Sequence, residues 1–279
     1  MGEFVRELEA FIESAGGLPE GVSVCPVPLS HFAPGGGFAS VDEAAVELLR
    51  IREGNIAAGV KETVFIYEDL WRSRQELVRR RLRSHLGVGE KVFARNCDVR
   101  EISQLTAAAF LERHHVYGAT KACYRYGLFR RRATGTKEAG MPDTATMVAV
   151  GTFSKKFEWE RYASLPQVRV CGGMGKVLNH FLNAAHPPEV LSYADLEWSD
   201  GSVYAGLGFV RKKRMPPEHF LIDQRTWERV HLRKMGRDRK YRDCQMSKWV
   251  EVANPGSLCM LLNVAGSVEE KETFPADER

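Results

Sequence analysis

Apolar positions at the start of the chain recur at helical spacing. Phe4, Val5, Leu8, Phe11 and Ile12 share one face and predict an opening helix that ends at Gly16-Gly17. The Pro- and Gly-rich stretch from Pro26 to Ala39 predicts an irregular loop, with the helical pattern VDEAAVELLRIRE behind it. Thr63 to Tyr67 reads as a strand. RSRQELVRRRLRSHLG then lines up Leu77, Val78, Leu82 and Leu86 as the apolar stripe of one basic helix, with Gly87 as its C-cap.

After Gly89 the units shorten, which places a domain boundary near Val88 to Lys91. VFARNCDV is a strand candidate, and Ser103 to Arg113 a helix presenting Leu105, Ala109 and Phe110. ACYRYGLF and TATMVAVGTF read as strands flanking a long polar loop, Arg130 to Asp143, and FEWERYA as a further strand. Gln167 to Phe209 predicts a strand, a glycine turn, a helix burying Val177, Leu178, Phe181 and Leu182, a second strand, and a short helix ending in Gly-Phe. In WVEVANPGSLCMLLN, Asn254-Pro255-Gly256 is expected to close a hairpin. The expected domains are an N-terminal α/β lobe at 1–90, a central domain at 91–235, a C-terminal β-hairpin extension at 236–268, and a disordered tail at 269–279.

Composition narrows the classes. No apolar run approaches the ~20 residues of a membrane span, and MGEFVRELEAFIES lacks a secretory or transit profile, so an intracellular, cytoplasmic protein is expected. The six cysteines form no C-x-x-C pair, which argues against a zinc ribbon or disulfide framework. Cys97, His114, His115 and Cys123 fit no standard ligand spacing, so no metal is expected. Net charge is only +4, but Arg and Lys cluster at Arg72 to Arg83, Arg211 to Arg214 and Arg233 to Arg242. Such clusters are either solvated faces or an attraction for an anionic partner.

The turn Cys171-Gly172-Gly173-Met174-Gly175-Lys176 lies between a strand and a helix. Helix N-termini expose unpaired amides, and glycines admit a phosphate to the backbone, so the turn is either an anion site or a ligand-free tight turn. It is not a P-loop, because Val170 stands at the first Gly and Val177 at the Ser/Thr. Leu178 breaks the dinucleotide fingerprint.

The combination of strand, G-x-G turn and helix, then a strand, then Tyr204-x-x-Leu207-Gly208-Phe209 resembles the GNAT family of acyl-CoA N-acyltransferases over roughly Val92 to Arg214. The sequence departs from the family at Val170, where an Arg or Gln usually opens the motif. FLERHHVYG, GTFSKKFEWERYA, VCGGMGK, LSYADLEWSDGSVYAGLGF and HFLIDQRTWERVHLRK together resemble GNAT-like proteins of phages and mobile elements. In those, a segment related to very-short-patch repair endonucleases often comes first, and VFIYEDLWRSRQELVRRRL is similar to its end. The preceding residues lack an Asp followed by Glu-x-Lys, so a degenerate, non-cutting lobe is expected.

The resemblance implies a mixed α/β fold, a mostly antiparallel sheet flanked by helices, with a smaller N-terminal α/β lobe. It implies acetyl-CoA as co-substrate, its pyrophosphate on Val170, Cys171, Gly172, Gly173, Met174, Gly175 and Lys176. The strand before the turn and the one at Leu191 to Asp195 would splay around the pantetheine arm. Tyr204 would protonate the departing thiolate, a task suited to a phenol of pKa ~10; its other reading is packing of helix on sheet. The base for the amine is expected to be Asp195, then Glu160 or Glu158, which share a strand face. His115 is a further base or a helix-end cap. Cys171 is poorly placed to act as a nucleophile. The reading of a different class is a nucleic-acid-binding protein on an inactive scaffold, with phosphate contacts from Arg79, Arg80, Arg81, Arg83, Lys212, Lys213 and Arg214.

Overall fold

A computed structural model describes residues 2–33, 36–131, 146–235, 238, 241 and 248–264. Most of the expected loop at 130–143, the tail from 269 and part of the basic stretch 233–242 lie outside the described residues.

Helix α1 (Glu3–Ser14) buries Phe4, Leu8 and Phe11, the stripe its spacing predicts. Strands β1 (Val22–Val27) and β2 (Glu62–Tyr67) pair in parallel across α2 (Val41–Ala57). The Ser40 side chain caps α2 by accepting the Glu43 amide at 3.1 Å. The single basic helix expected at 72–87 is two helices, α3 (Glu68–Ser73) and α4 (Gln75–His85). Between them Arg74 leaves helical geometry, at φ −136° and ψ 39°, and its guanidinium donates to the Val116 carbonyl at 3.0 Å. Across the break, α3 buries Leu70 and Trp71 and α4 buries Val78 and Leu82 in one shared core.

The chain continues through β3 (Glu90–Phe93), β4 (Cys97–Glu101), α5 (Gln104–His114), β5 (Tyr124–Arg130), β6 (Thr146–Phe153), β7 (Glu158–Ser164) and β8 (Val168–Cys171). Then come α6 (Gly173–Ala185), β9 (Glu189–Asp195), α7 (Ser202–Ala205), β10 (Val210–Met215), β11 (His219–Asp223), β12 (Arg229–His231), α8 (Leu232–Met235), β13 (Trp249–Ala253) and β14 (Ser257–Asn263). VFARNCDV, expected as one strand, is cut by a 3₁₀ turn at Ala94–Asn96, so that β3 pairs with β8 while β4 pairs with β5.

The main sheet has seven strands in the order β10-β14-β9-β7-β6-β5-β4, antiparallel throughout except between β7 and β9. Alternation along β6 turns Val150 toward α5, and Gly151 and Phe153 toward α6, so helices flank both faces. Phe181 of α6 stacks on Phe153 with ring centres 3.9 Å apart. Gly151 is required there, because a Cβ would sit 2.7 Å from Val177 Cγ1. The fold class is therefore mixed α/β, a large and mostly antiparallel sheet flanked by helices.

The segment expected as a C-terminal hairpin supplies strands to two sheets and forms no hairpin. β13 pairs with β11 in a three-stranded sheet, β12-β11-β13, whereas β14 enters the main sheet between β9 and β10. The turn between them is held from outside: Asn254 Oδ1 accepts the amides of Glu218 at 2.8 Å and Gly256 at 3.0 Å. Gly256, at φ +82°, then redirects the chain. One apolar core joins Phe4, Leu8, Tyr67, Trp71, Val78 and Leu82 to Trp198, Phe220, Ile222 and Val252, so α1, β2, α3 and α4 pack against the three-stranded sheet. No helix among the described residues is long and apolar enough to cross a membrane.

Candidate active site

Strands β7 and β9 are neighbours at only two positions, Glu158↔Leu191 and Trp159↔Ser192. Beyond that point β7 remains paired with β6, and β9 with β14, so the sheet forks. The strand that neighbours β9 is therefore β7, and not the one immediately before the glycine turn. That strand, β8, has left the sheet at Leu165-Pro166-Gln167 and pairs with β3 instead. Ser192 marks the fork: its Oγ lies 3.1 Å from the Trp159 carbonyl and 3.1 Å from the Tyr204 hydroxyl. Tyr204 is wedged edge-on against Trp159 and Phe209, the latter from the Gly-Phe end of its own motif.

The glycines of the turn serve three separate purposes. Gly172 is exposed, adopts φ +77° and starts α6 with no side-chain cap. Gly173 is buried, and a Cβ there would stand 2.3 Å from the Tyr162 hydroxyl and 2.7 Å from Val170 Cγ1. A Cβ on Gly175 would press on Leu207 at 3.1 Å, which ties the turn to the Tyr204-Phe209 element. Lys176 does not point its ammonium outward; it donates to the carbonyls of Ala94, at 2.9 Å, and Cys97. Cys171 is half-buried at the end of β8.

A cavity of about 1270 Å³ begins at Val168, Arg169 and Met174 beside this turn, passes Tyr162 and Tyr204, and reaches Asp195 and Glu160 on the two arms of the fork. Its far walls come from α4, the end of α5 and β12. Asp195 Oδ2 accepts the Tyr117 hydroxyl at 2.9 Å and its Oδ1 accepts the Glu197 amide at 2.9 Å. Glu160 Oε1 lies 3.5 Å from Thr120 Oγ1, and burial, reinforced by Glu158, raises its pKa. Burial also raises the Tyr204 phenol against the opposing effect of Ser192, so it carries its proton at neutral pH. His115 is the residue that ends α5, and its Nδ1 accepts the Tyr117 amide at 3.1 Å. Burial, then the charges of Arg81 and Arg161, push its pKa to about 3, which leaves it neutral and weakly basic.

Several residues on or behind this cavity carry no local sequence signal of function. Arg81 stacks over Trp198 at 4.2 Å, and burial lowers its pKa. Arg161 leans over Tyr117. On the cavity wall, Arg229 reaches inward to Asp69 Oδ2 at 3.6 Å and Glu197 Oε1 at 3.4 Å, with its guanidinium sandwiched by Tyr67 and Phe220. Both carboxylates are 0% exposed. Burial raises Asp69 despite Arg229 and takes Glu197 to about 8; for Arg229 burial acts the other way but is outweighed by the two acids, so its pKa rises. One signal was available: Glu68-Asp69 interrupts an otherwise apolar run from Val64 to Trp71, where a charge that is buried needs a partner.

The cations read as phosphate contacts are dispersed. Arg79 lies over Phe11 and Trp71, Arg83 over Phe11, and Arg81 over Trp198, while Arg80 is 3.7 Å from Glu76. Lys212 and Lys213 stand exposed on β10, an edge strand, where lysines discourage pairing with another chain; Arg214 is 3.7 Å from Glu53. No group of three or more metal-ligating side chains occurs among the described residues.

The sequence matches no protein-family model and no curated protein. Among solved structures it is similar to spermidine N-acetyltransferase from Vibrio cholerae, with 7% identity, 64% of this chain and 99% of that one covered, and a TM-score of 0.35. It is also similar to ribosomal-protein-S5-alanine acetyltransferase from Vibrio fischeri (8%, 63% and 96%, TM-score 0.34). A GNAT-family acetyltransferase from Bacillus anthracis gives 9% identity, 60% and 95% coverage and a TM-score of 0.31.

Proposed function

We propose that the protein is an acyl-CoA-dependent N-acyltransferase that moves an acetyl group directly from acetyl-CoA to an amine. The observation that carries this reading is the fork: residues from both its arms, β7 and β9, line one cavity together with Met174 in the first turn of the uncapped helix α6, the Tyr204 phenol and the carboxylates of Asp195 and Glu160. The chain's residues fit the co-substrate. Gly172 is exposed and only Ala94 Cβ, at 3.7 Å, would meet a side chain there, so an anion has room at the uncapped start of α6. Cys171 and Met174 would flank it, and Val170, Gly173 and Gly175 would shape the turn through packing, whereas Lys176 would brace it from behind.

Bound acetyl-CoA supplies an activated thioester. Asp195, held by Tyr117, would orient the acceptor ammonium and take up its proton, with Glu160 and Glu158 on the opposite arm as the second route. Tyr204 would hold its proton at the fork and deliver it to the departing sulfur. His115, neutral, would line the acceptor end.

The test is a thermal shift. Acetyl-CoA at roughly ten times its Kd is expected to raise Tm by on the order of 3 °C. Gly172→Asp sets a carboxylate at the uncapped start of α6, at a strain of about 1 kcal/mol in left-handed backbone that Asp tolerates, and should abolish the shift. A side chain at Gly173 would not serve, because it collides with Tyr162. No shift at millimolar acetyl-CoA would sink the reading.

A further inference from the structure

Two guanidiniums that line the cavity have no carboxylate within ion-pair distance among the described residues, although the charge of Asp195 acts on Arg81 from further away. Arg81 comes from α4 and Arg161 from β7, and both line the space that holds Asp195 and Tyr204. Arg81 is fixed by stacking on Trp198 and makes no hydrogen bond or ion pair among the described residues. Arg161 donates from Nη1 to the Glu160 carbonyl at 2.7 Å and lies over Tyr117, yet its Nε is buried with no acceptor. No carboxylate among the described residues stands within ion-pair distance of either group. Both line one cavity, and Arg161 lies over the ring of Tyr117, whose hydroxyl meets Asp195.

The nearby acids are engaged elsewhere: Asp195 by Tyr117 and the Glu197 amide, Glu197 and Asp69 by Arg229. Both arginines are half-buried, so part of their hydration is lost without a direct ion pair to replace it, and a guanidinium's fork of donors matches the oxygens of a carboxylate or phosphate. Resting on the acyltransferase reading, we propose that Arg81 and Arg161 hold an anionic group of the acceptor, which is thus a small amine bearing a carboxylate or phosphate close to its nitrogen. Asp195 would take the ammonium end and the arginine pair the anionic end. The cavity is larger than the ~300–1,000 Å³ usual for one small ligand, leaving room for both a thioester arm and such an acceptor.

The first experiment needs no activity. Inorganic phosphate, and separately acetate, are titrated into the full chain and Tm is followed. One of the two should give a rise on the order of 3 °C at roughly ten times its Kd, and the stronger names the group. The rise should vanish in Arg81→Met and Arg161→Met, survive in part in Arg81→Lys, and remain in Gly172→Asp. Absence of any rise, a rise unchanged in both Met variants, or one lost only in Gly172→Asp overturns the proposal. The lysine variant guards against a Met variant that merely folds poorly. In a second experiment, release of free thiol from acetyl-CoA is compared for O-phosphoethanolamine and ethanolamine, and for glycine and glycinamide. The anionic member of one pair should be favoured by about tenfold or more in kcat/KM, the worth of one charge-assisted contact, and Arg81→Met should erase the preference. Equal turnover within both pairs overturns the proposal but leaves the acyltransferase reading intact. No acetyl-CoA binding overturns that reading, while the phosphate and acetate shifts still decide the anion site.

Discussion

Arg229→Met is expected to lower unfolding stability by about 3–5 kcal/mol, measured by urea denaturation at neutral pH. The guanidinium is the only cation within ion-pair distance of Asp69 and Glu197 among the described residues, and both carboxyls are sealed from solvent. Removing it leaves Asp69 either charged in an apolar setting or driven to take up a proton, and deprives Glu197, which already holds its proton at neutral pH, of its buried polar neighbour. Because Asp69 belongs to the N-terminal lobe, Arg229 to the three-stranded sheet and Glu197 follows β9 of the main sheet, the loss also loosens the joint between the three. Replacing all three with apolar residues of similar size should recover most of the stability, since a buried ion pair gains little over good packing. A loss under about 1 kcal/mol for Arg229→Met would mean that water reaches the cluster.

The same cluster sets a pH dependence. The folded-state pKa of Glu197, about 8, lies above its ordinary 4.5, so the folded state binds its proton more tightly than the unfolded chain does. Its contribution is fully present below about 4.5 and is lost as pH rises through about 8, at up to ~1.4 kcal/mol per pH unit. Glu197→Gln, which keeps the shape and a hydrogen-bond donor, should flatten that slope. An unchanged slope would place the titration elsewhere.

What could be read from sequence was local. The strand, glycine turn, helix and Tyr204 motif follow one another within about forty residues, and short-range periodicity encodes each piece; Asp195 and Tyr204 were visible because they end or follow patterned elements. Tyr117, Arg81, Arg161, Asp69 and Arg229 come from five separate stretches of the chain and meet only in the folded protein, so no spacing announces that they belong together. The same cause hid two features of the fold. The α3–α4 break depends on Arg74 reaching the Val116 carbonyl, and the separation of β13 from β14 on Asn254 holding the Glu218 amide, both of them long-range contacts. Lys176 belongs with them: two carbonyls of the 3₁₀ turn region claim its ammonium, a contact across about eighty residues that its place in the glycine turn does not announce.

Tyr204→Phe should reduce kcat by about 10²–10⁴-fold, the usual worth of a positioned proton donor, while leaving the acetyl-CoA thermal shift unchanged. The substitution keeps the ring against Trp159 and Phe209 and removes only the hydroxyl at Ser192, so stability should fall by about 1 kcal/mol or less. A packing role and a proton-donating role then separate through the leaving group. A thiolate as basic as that of coenzyme A gains much from a proton delivered as the bond to carbon breaks, whereas an acyl thioester of an acidic aromatic thiol departs readily without one. The deficit of Tyr204→Phe should therefore shrink toward unity with the aromatic thioester. An equal deficit with both thioesters would assign Tyr204 to packing alone, and the proton for sulfur would then have to come from solvent entering through the fork between β7 and β9.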